Sequence, residues 1–304
     1  MLPALSPGSY PPKFQAVTNP IFASVVQHPL SYDVGPLQLT GFGLAMLLCF
    51  VIAQIVAQRE LDRRGHDPEP IGDLIFAAVV GGLLGGKIYY AVLMHDSSAL
   101  LSRAGFVFWG GLIGGMIATY VVIRKKKLTF PHISDVSAPA LAAAYAVGRT
   151  GCWAVGDDYG RPWNGPWAVK FPEGAPPSTV INMERLFHVP AAVGAAPTDV
   201  LAVHPTQLYE VAMGFVMFLI LWKYRDHKHA EGWLFGFYCV LAGVERFLVE
   251  FVRAKDDRFF GGMTMAQVIA LGFAIVGGIW MYARRNPGGD APGIYAGGKT
   301  ATAN

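Results

Sequence analysis

Charge is scarce in this chain. Of 304 residues only 15% are Asp, Glu, Lys or Arg, whereas 53% are hydrophobic, a balance too apolar for an ordinary soluble domain. Cysteine is scarcer still. Cys49, Cys152 and Cys239 form an odd, scattered set with no CxxC pair, so neither a disulfide framework nor a zinc site is implied. Cys49 and Cys239 lie within apolar runs and read as inert packing residues. Ten-residue segments of alternating polarity, the mark of a membrane β-barrel, are missing. So is an internal repeat of the transporter kind. Residues 1–38 show no basic start followed by an apolar core, so no secretory signal is expected there.

What is present is apolar blocks of about 17–22 residues, the length a helix needs to cross about 30 Å of hydrocarbon. Helices are required because lipid cannot satisfy stray backbone amides. The expected fold is therefore an all-α polytopic membrane protein with seven transmembrane helices: Leu39–Val56, Ile71–Met94, Phe106–Ile123, Ile133–Gly148, Pro205–Trp222, Trp233–Phe251 and Met263–Tyr282. Residues 1–38 make an N-terminal segment rich in Pro and aromatics, expected to lie along the membrane surface. Residues 39–148 carry spans one to four, 149–204 a small extracytoplasmic head, 205–282 spans five to seven, and 283–304 a tail expected to be disordered. The head segment is rich in Pro, Gly and Trp; a loop this long is usually functional or disordered, and its aromatics argue against disorder.

Orientation follows from the basic residues. Arg59, Arg63, Arg64, Arg124 to Lys127, Lys223, Arg225, Lys228, Arg284, Arg285 and Lys299 fall on one side of these spans. Outside the long loop, Lys13, Arg103, Arg253, Lys255 and Arg258 fall on the other. The positive-inside rule then puts the N-terminus outside and the C-terminus in the cytoplasm. The net charge of +3 is spread over span ends rather than over one soluble face, so no nucleic acid is expected as a partner.

Charges inside the spans are the next signal. Each of Lys87, Glu245, Arg246 and Glu250 costs about 2.5–3.5 kcal/mol at a span centre, and such residues normally face a bundle interior. Arg246, Glu250 and Arg253 share one helix face by their i, i+4, i+7 spacing. Arg246 falls roughly 8 Å, and Lys87 about 10 Å, below the outer end of its span. Arg149 closes span four on the same side, ahead of Gly151-Cys152-Trp153 and Gly156-Asp157-Asp158-Tyr159-Gly160-Arg161-Pro162. The run His204-Pro205-Thr206-Gln207-Leu208-Tyr209-Glu210 opens span five, with Pro205 suited to the first helical position and His204 to the cap. Four segments thus send polar groups to one outer-leaflet depth.

Plainer readings exist for each member. Arg246 and Glu250 could be a neutralised structural pair, Lys87 a snorkelling lysine, and His204 and Glu210 helix-end residues. Gly110-Gly111 and Gly114-Gly115 read first as close helix packing. Together the members say more. Two arginines near headgroup level suit a phosphate and the charge that builds on a phosphate leaving group, and a His or an acid nearby could take a proton. Nothing resembles a hydrolytic triad, a metal site or a cofactor site. The spacing leads as far as phospholipid headgroup chemistry or binding.

From about Pro29 to Tyr282 the chain resembles the bacterial prolipoprotein diacylglyceryl transferase family. The matching stretches are Asp33-Val34-Gly35-Pro36-Leu37, Gly81 to Tyr90, Gly110 to Gly115, Gly148-Arg149-Thr150-Gly151, Gly156 to Pro162, His204 to Glu210 and Arg246-Phe247-Leu248-Val249-Glu250-Phe251. The His204-to-Glu210 run, in order with the arginine motifs, is the most specific. The resemblance implies seven spans in the inner membrane and one reaction. The diacylglyceryl group of phosphatidylglycerol passes to the lipobox cysteine of a preprolipoprotein signal peptide, giving a thioether and glycerol phosphate. It further implies that Arg149 and Arg246 hold phosphate, Glu250 orients Arg246, Asp157 occupies a family glutamate position, and His204, Tyr209 and Glu210 shape the lipid pocket. Lys87, Gly160, Arg161 and Gln207 are grouped with the substrate-binding set. No covalent enzyme intermediate is needed, because thiolate formation activates the acceptor.

Three positions depart from the family pattern. Trp109 stands where a histidine usually precedes the glycines, Cys152 where an asparagine follows Arg-x-Gly, and Asp157 is one methylene short of glutamate. Trp109 cannot take a proton, so His204 or Asp157 would have to replace the base. The alternative is a divergent paralogue that binds a phospholipid or a lipoprotein precursor without this transfer.

Overall fold

A computed structural model describes residues 25–35, 37–101, 105–190, 194–255 and 257–286. Most of them are helical. Among the described residues the longer helices are α1 (Gly41–Arg63), α2 (Glu69–Met94), α3 (Phe108–Lys125), α4 (Phe130–Val155), α6 (Thr206–Tyr224), α7 (Trp233–Val249) and α8 (Met265–Ala283), with a short α5 (Val180–Arg185) between α4 and α6. Three of these, α1, α2 and α8, are long and apolar enough to cross a membrane by length and composition. Together with the outward display of Leu47, Phe76, Leu84, Val276 and Ile279, they mark an α-helical membrane protein, since so much exposed aliphatic surface has no place in water. The tail after Asn286 and the first 24 residues lie outside the described residues.

The described residues divide into two compact units. The larger comprises Ala45–Gly148, Val211–Glu245 and residues from Ala270 onward. Its tightest seam joins α2 to α3. A Cβ added to Gly81 would fall 2.6 Å from the Gly114 carbonyl oxygen, and one added to Gly114 would fall 2.8 Å from Gly85 Cα. Only glycine permits that approach, which is the packing expected of the span-three glycines. Elsewhere in this unit Asp135 is wholly buried and accepts the Gly232 and Phe235 amides at 2.7 and 2.9 Å. It thereby satisfies donors at the start of α7 that the helix cannot satisfy itself. Cys49 and Cys239 are buried free thiols, in keeping with packing roles.

The smaller unit comprises residues up to Leu44, Arg149–Glu210 and Arg246–Ile269. Its strands are short. β1 (Val25–Val26) runs parallel to β4 (Val169–Lys170), and β4 pairs antiparallel with β5 (Ala202–Val203). β2 (Ser31–Val34) and β3 (Leu37–Thr40) form a hairpin that turns through Gly35 at φ +60°, a left-handed conformation that glycine adopts without strain. A second small hairpin joins β6 (Arg258–Phe260) to β7 (Met263–Thr264) ahead of α8. Residues 25–38, expected as part of a surface-lying segment, thus contain strands, β3 runs on into the first two residues of the expected span one, and β1 is hydrogen-bonded into the sheet of this unit. The apolar core holds Tyr159, Phe171, Met183 and Val203, all at most 2–3% exposed, with the Tyr159 and Phe171 rings stacked at 5.3 Å. A pair of that kind adds about 0.5–1.5 kcal/mol beyond area burial. This core anchors the polar cluster described next.

Two helix ends differ from the sequence reading. α4 continues to Val155, so Arg149 lies within the helix rather than at its close. Gly151 does not end it, because a single interior glycine costs only about 1 kcal/mol and the next turn carries Cys152 and Trp153. The helix stops instead at Gly156, whose φ of +69° is the usual glycine exit. α6 begins at Thr206, which places Pro205 just before the first helical residue rather than on it.

Candidate functional site

The smaller unit brings together nearly every polar residue that the sequence singles out. Arg149 projects from α4, Glu210 from α6, and Arg246 and Glu250 from the end of α7 and the turn beyond it. Arg149 gives one Nη to the Glu210 carboxylate and the other to Asp158 Oδ2 at 2.8 Å. Asp158 Oδ1 is taken by Arg253 Nη2 at 2.7 Å. Glu250 Oε2 lies 2.7 Å from Arg246 Nη2 and 3.7 Å from Arg253 Nε, and Arg246 Nη1 sits 3.7 Å from Glu210. Arg149, Arg246 and Arg253 are therefore interleaved with Asp158, Glu210 and Glu250 in one network. Glu210 and Glu250 have buried side chains, and such carboxylates persist only when paired. Arg246 has the most exposed side chain of the three arginines, 30% against 14% for the others. It is the one best placed to meet a ligand.

The His204-to-Glu210 run acts as a clamp on the segment after α4. Thr206 Oγ1 donates to the Asp158 carbonyl at 2.6 Å, and Gln207 Nε2 donates to the Asp157 carbonyl at 2.5 Å. Both clamping residues are fully buried. One turn later Glu210 receives Arg149, so three residues on one face of α6 fix both ends of the same segment. Gly160 completes the fit. Its amide donates to the His204 carbonyl at 2.8 Å, and a Cβ there would fall 2.5 Å from the Val252 oxygen and 2.6 Å from His204 Cβ. Arg161 adds a bond from its amide to Val252 O at 2.8 Å, and its Nε donates to Arg253 O at 3.1 Å.

The turn itself is unusual. Gly156 and Asp158 both have positive φ, +69° and +55°, and a non-glycine residue holds that conformation only when its surroundings insist. Here the insistence comes from the two arginines. Burial pushes the Asp158 carboxyl up, but Arg253 and Arg149 outweigh it and hold the group below the usual carboxylate range. Asp157 goes the other way. Burial first, and then the neighbouring Asp158 charge, push its carboxyl up to about 6, against smaller opposing pulls from Cys152, Arg149 and Arg253. Its Oδ1 is buried and makes no hydrogen bond. Adjacent carboxylates with oppositely displaced acidities are what a site needs when one is to stay ionised and the other to exchange a proton.

Cys152 touches both partners, with Arg149 Nη1 at 3.3 Å from its Sγ. Donor atoms of Cys152, Asp157 and Asp158 lie within 4.8 Å of one another, but both Asp158 oxygens already serve arginines, which suits an ion-pair network and not a cation site.

His204 stacks on Trp163 at 4.4 Å with a 10° tilt. Its Nδ1 lies 3.2 Å from the Tyr209 hydroxyl, which accepts the Trp167 Nε1–H at 2.7 Å. That leaves the tyrosine proton for Nδ1, which places the imidazole proton on Nε2. Burial lowers the His204 pKa below its ordinary value, so the ring is neutral near pH 7.

Lys87 and Trp109 belong to the larger unit, where Lys87 Nζ sits 4.6 Å above the Phe106 ring and Trp109 meets Phe108 edge to face. Asp158 and Arg253 carry the network as much as the residues singled out from sequence. Arg253 had a signal, its shared face with Arg246 and Glu250. Asp158 had only its place beside Asp157.

Comparison with known proteins gives consistent results. A sequence model of the family described as prolipoprotein diacylglyceryl transferase matches residues 29–283. The chain is similar to proteins named phosphatidylglycerol–prolipoprotein diacylglyceryl transferase. With that of Nitratidesulfovibrio vulgaris it is 32% identical over 278 residues, covering 86% of this chain and 95% of the relative. With that of Chromohalobacter salexigens it is 31% identical over 278 residues, covering 86% and 95%. With that of Bordetella bronchiseptica the figures are 31% over 277 residues, 85% and 96%.

Proposed function

Since the chain belongs to the prolipoprotein diacylglyceryl transferase family, we propose that it transfers the diacylglyceryl group of phosphatidylglycerol to the lipobox cysteine thiol of preprolipoproteins. In this reaction the cysteine sulfur forms a bond to the terminal glyceryl carbon as the carbon–oxygen bond to phosphate breaks. The electron pair leaves with glycerol phosphate. The phosphate changes from a diester with one negative charge to a monoester approaching two, so cations aimed at it stabilise the transition state more than the ground state. Arg149 and Arg246 supply that charge, with Glu250 and Glu210 holding the guanidinium groups in place. Asp157 accepts the thiol proton and later releases it to water. His204, with its Nδ1 engaged by Tyr209, shapes the pocket and is not the base.

The one observation that carries this reading is the arginine–carboxylate network that draws on three separate stretches of the smaller unit, in a chain with the family's motifs in order. Gly160, Arg161, Gln207, Tyr209 and Cys152 build its walls, and Lys87 and Trp109 are assigned to substrate binding from their sequence positions alone. All seven long helices cross the inner membrane in this reading, with the N-terminus outside, the C-terminus cytoplasmic, and residues 149–204 as an extracytoplasmic head. The supports are the alternation of basic clusters and the length of these helices.

The test is a transfer assay with purified protein in vesicles of phosphatidylglycerol labelled in its acyl chains and a reporter peptide carrying a lipobox cysteine. Label should move to the peptide with release of glycerol phosphate, and a Cys→Ser reporter should gain none. Tight lipid binding without transfer would establish the paralogue reading in its place.

A further inference from the structure

Glu250 is poorly served. Its Oε2 forms an ion pair with Arg246 at 2.7 Å, yet Oε1 and Oε2 are both buried without a hydrogen-bond partner, in a residue only 2% exposed. A buried carboxylate oxygen with nothing to accept from is costly, and in a folded protein it calls for an explanation. Glu250 also lines a cavity of about 290 Å³ whose walls include Arg161, Arg258, Thr264 and Gln267. The far wall is rigid. Thr264 and Gln267 are 3% and 5% exposed and bond each other's amides reciprocally at 3.0 and 3.2 Å as the cap of α8, an arrangement that fixes both side chains.

The lining selects among ligand chemistries. An anion would meet the Glu250 carboxylate, and an ammonium group would meet two guanidinium groups. A neutral hydroxyl suits both, because it donates to a carboxylate and accepts from a guanidinium. Two neighbouring hydroxyls on a short carbon chain would serve both and fit the volume.

We propose that this cavity is a polyol subsite, in which Glu250 Oε1 accepts from the hydroxyls of the headgroup glycerol while Arg246 and Arg149 hold the phosphate beside it. The inference rests on the transferase reading above and adds the determinant of headgroup choice. Glu250 is then a specificity residue as well as a positioning residue for Arg246. A lipid with the same phosphate but no headgroup hydroxyls leaves Oε1 buried and unserved, and sites built to bond a hydroxyl reject analogues that lack it strongly.

The experiment compares phosphatidylglycerol with phosphatidylpropanol of identical acyl chains as donors to a lipobox reporter. The leaving group is a phosphate monoester in both, so the difference reports the hydroxyls. The wild type should favour phosphatidylglycerol in kcat/KM by about 10⁴-fold. In Glu250→Gln both rates should fall through the loosened Arg246, and the preference should shrink to within about threefold. Equal rates for the two lipids in the wild type would overturn the proposal. So would a Glu250→Gln variant that is slow yet keeps the full preference, the signature of a purely structural role. Should that variant fail to fold, wild-type product inhibition decides: glycerol phosphate must compete at least tenfold better than propyl phosphate. Should the wild type transfer neither lipid, the transferase reading fails separately. Thermal stabilisation by glycerol phosphate against propyl phosphate then reads the cavity alone, and equal effects would sink it.

Discussion

Arg149 and Glu210 form an ion pair in which the carboxylate is completely buried and the guanidinium nearly so, at 14% side-chain exposure. Removing the Glu210 carboxylate takes away one of Arg149's partners while Asp158 stays at 2.8 Å, so the cost should fall below the about 3–5 kcal/mol of a fully broken buried pair. Glu210→Ala should therefore lower the thermal midpoint of the detergent-solubilised protein. Glu210→Gln, which keeps an acceptor for Arg149, should lower it less. An unchanged midpoint in Glu210→Ala would mean that the pair is loose in the membrane.

Arg246 has the most exposed side chain of the three arginines, and its role in the proposed reaction is to meet the phosphate. Arg246→Ala should reduce transfer by about 10²–10³-fold or more while leaving membrane insertion and yield close to wild type. Arg246→Lys should recover little, since a point charge cannot reproduce the fork. Transfer at near-normal rates in Arg246→Ala would remove this residue from the site.

The pH profile should report Asp157. Its carboxyl is raised to about 6, and only the ionised form can accept a proton, so kcat/KM should climb about tenfold per unit below pH 6 and flatten above it. Asp157→Asn should abolish this limb along with most of the activity. The sign of the stability effect is opposite. A carboxyl with a raised folded-state pKa binds its proton more tightly when folded, so the stability it lends is full below about pH 4. That contribution is lost as pH rises through about 6. Asp157→Asn should accordingly melt higher than wild type at pH 7.5. A limb unaltered by the substitution would exclude Asp157 as the base.

Gly160→Ala adds one methyl group where backbone and side chains already close in. The new Cβ would lie 2.5 Å from Val252 O and 2.9 Å from Thr206 Cγ2, and forced repacking of this kind costs about 1–3 kcal/mol. Loss of transfer with retained insertion is expected, read by the reporter assay alongside protease protection of the head. Wild-type activity would show that the two segments have room to part.

Trp109 departs from the family pattern without an evident demand from its surroundings, being 47% exposed and in edge contact with Phe108. Trp109→His should be tolerated or activating, read by transfer rate and expression together. A collapse of expression would make the indole a packing residue.

Much of the site was legible because its residues fall in contiguous runs whose chemistry is expensive to keep in an apolar chain. Arg149, Glu210, Arg246 and Glu250 stand out for that reason, and the structure joins them. Asp158 did not stand out, since its importance comes from a left-handed turn at +55° that no local pattern in Gly-Asp-Asp-Tyr announces. The cavity beside Glu250 was equally hidden, because Thr264 and Gln267 look like ordinary residues at the start of an apolar helix. The strands β1, β4 and β5 are two residues long, too short for any alternation to register. The glycines of α3 were read correctly because their spacing alone prescribes close approach; their partners Gly81 and Gly85 in α2 were not singled out for packing.

The smaller unit is not continuous in sequence, and this has a bearing on how the protein is made. The amides of Gly160 and Arg161 find their acceptors in His204 and Val252, and the second oxygen of Asp158 waits for Arg253. Synthesis runs from the N-terminus, so all of Arg149–Glu210 leaves the ribosome before Arg246 exists. A nascent chain halted at that stage carries an acidic turn with half its counter-charges. Completion of the proposed site is thus tied to delivery of α7 and the turn beyond it, and unfinished polypeptides should be inactive and preferred prey for membrane proteases.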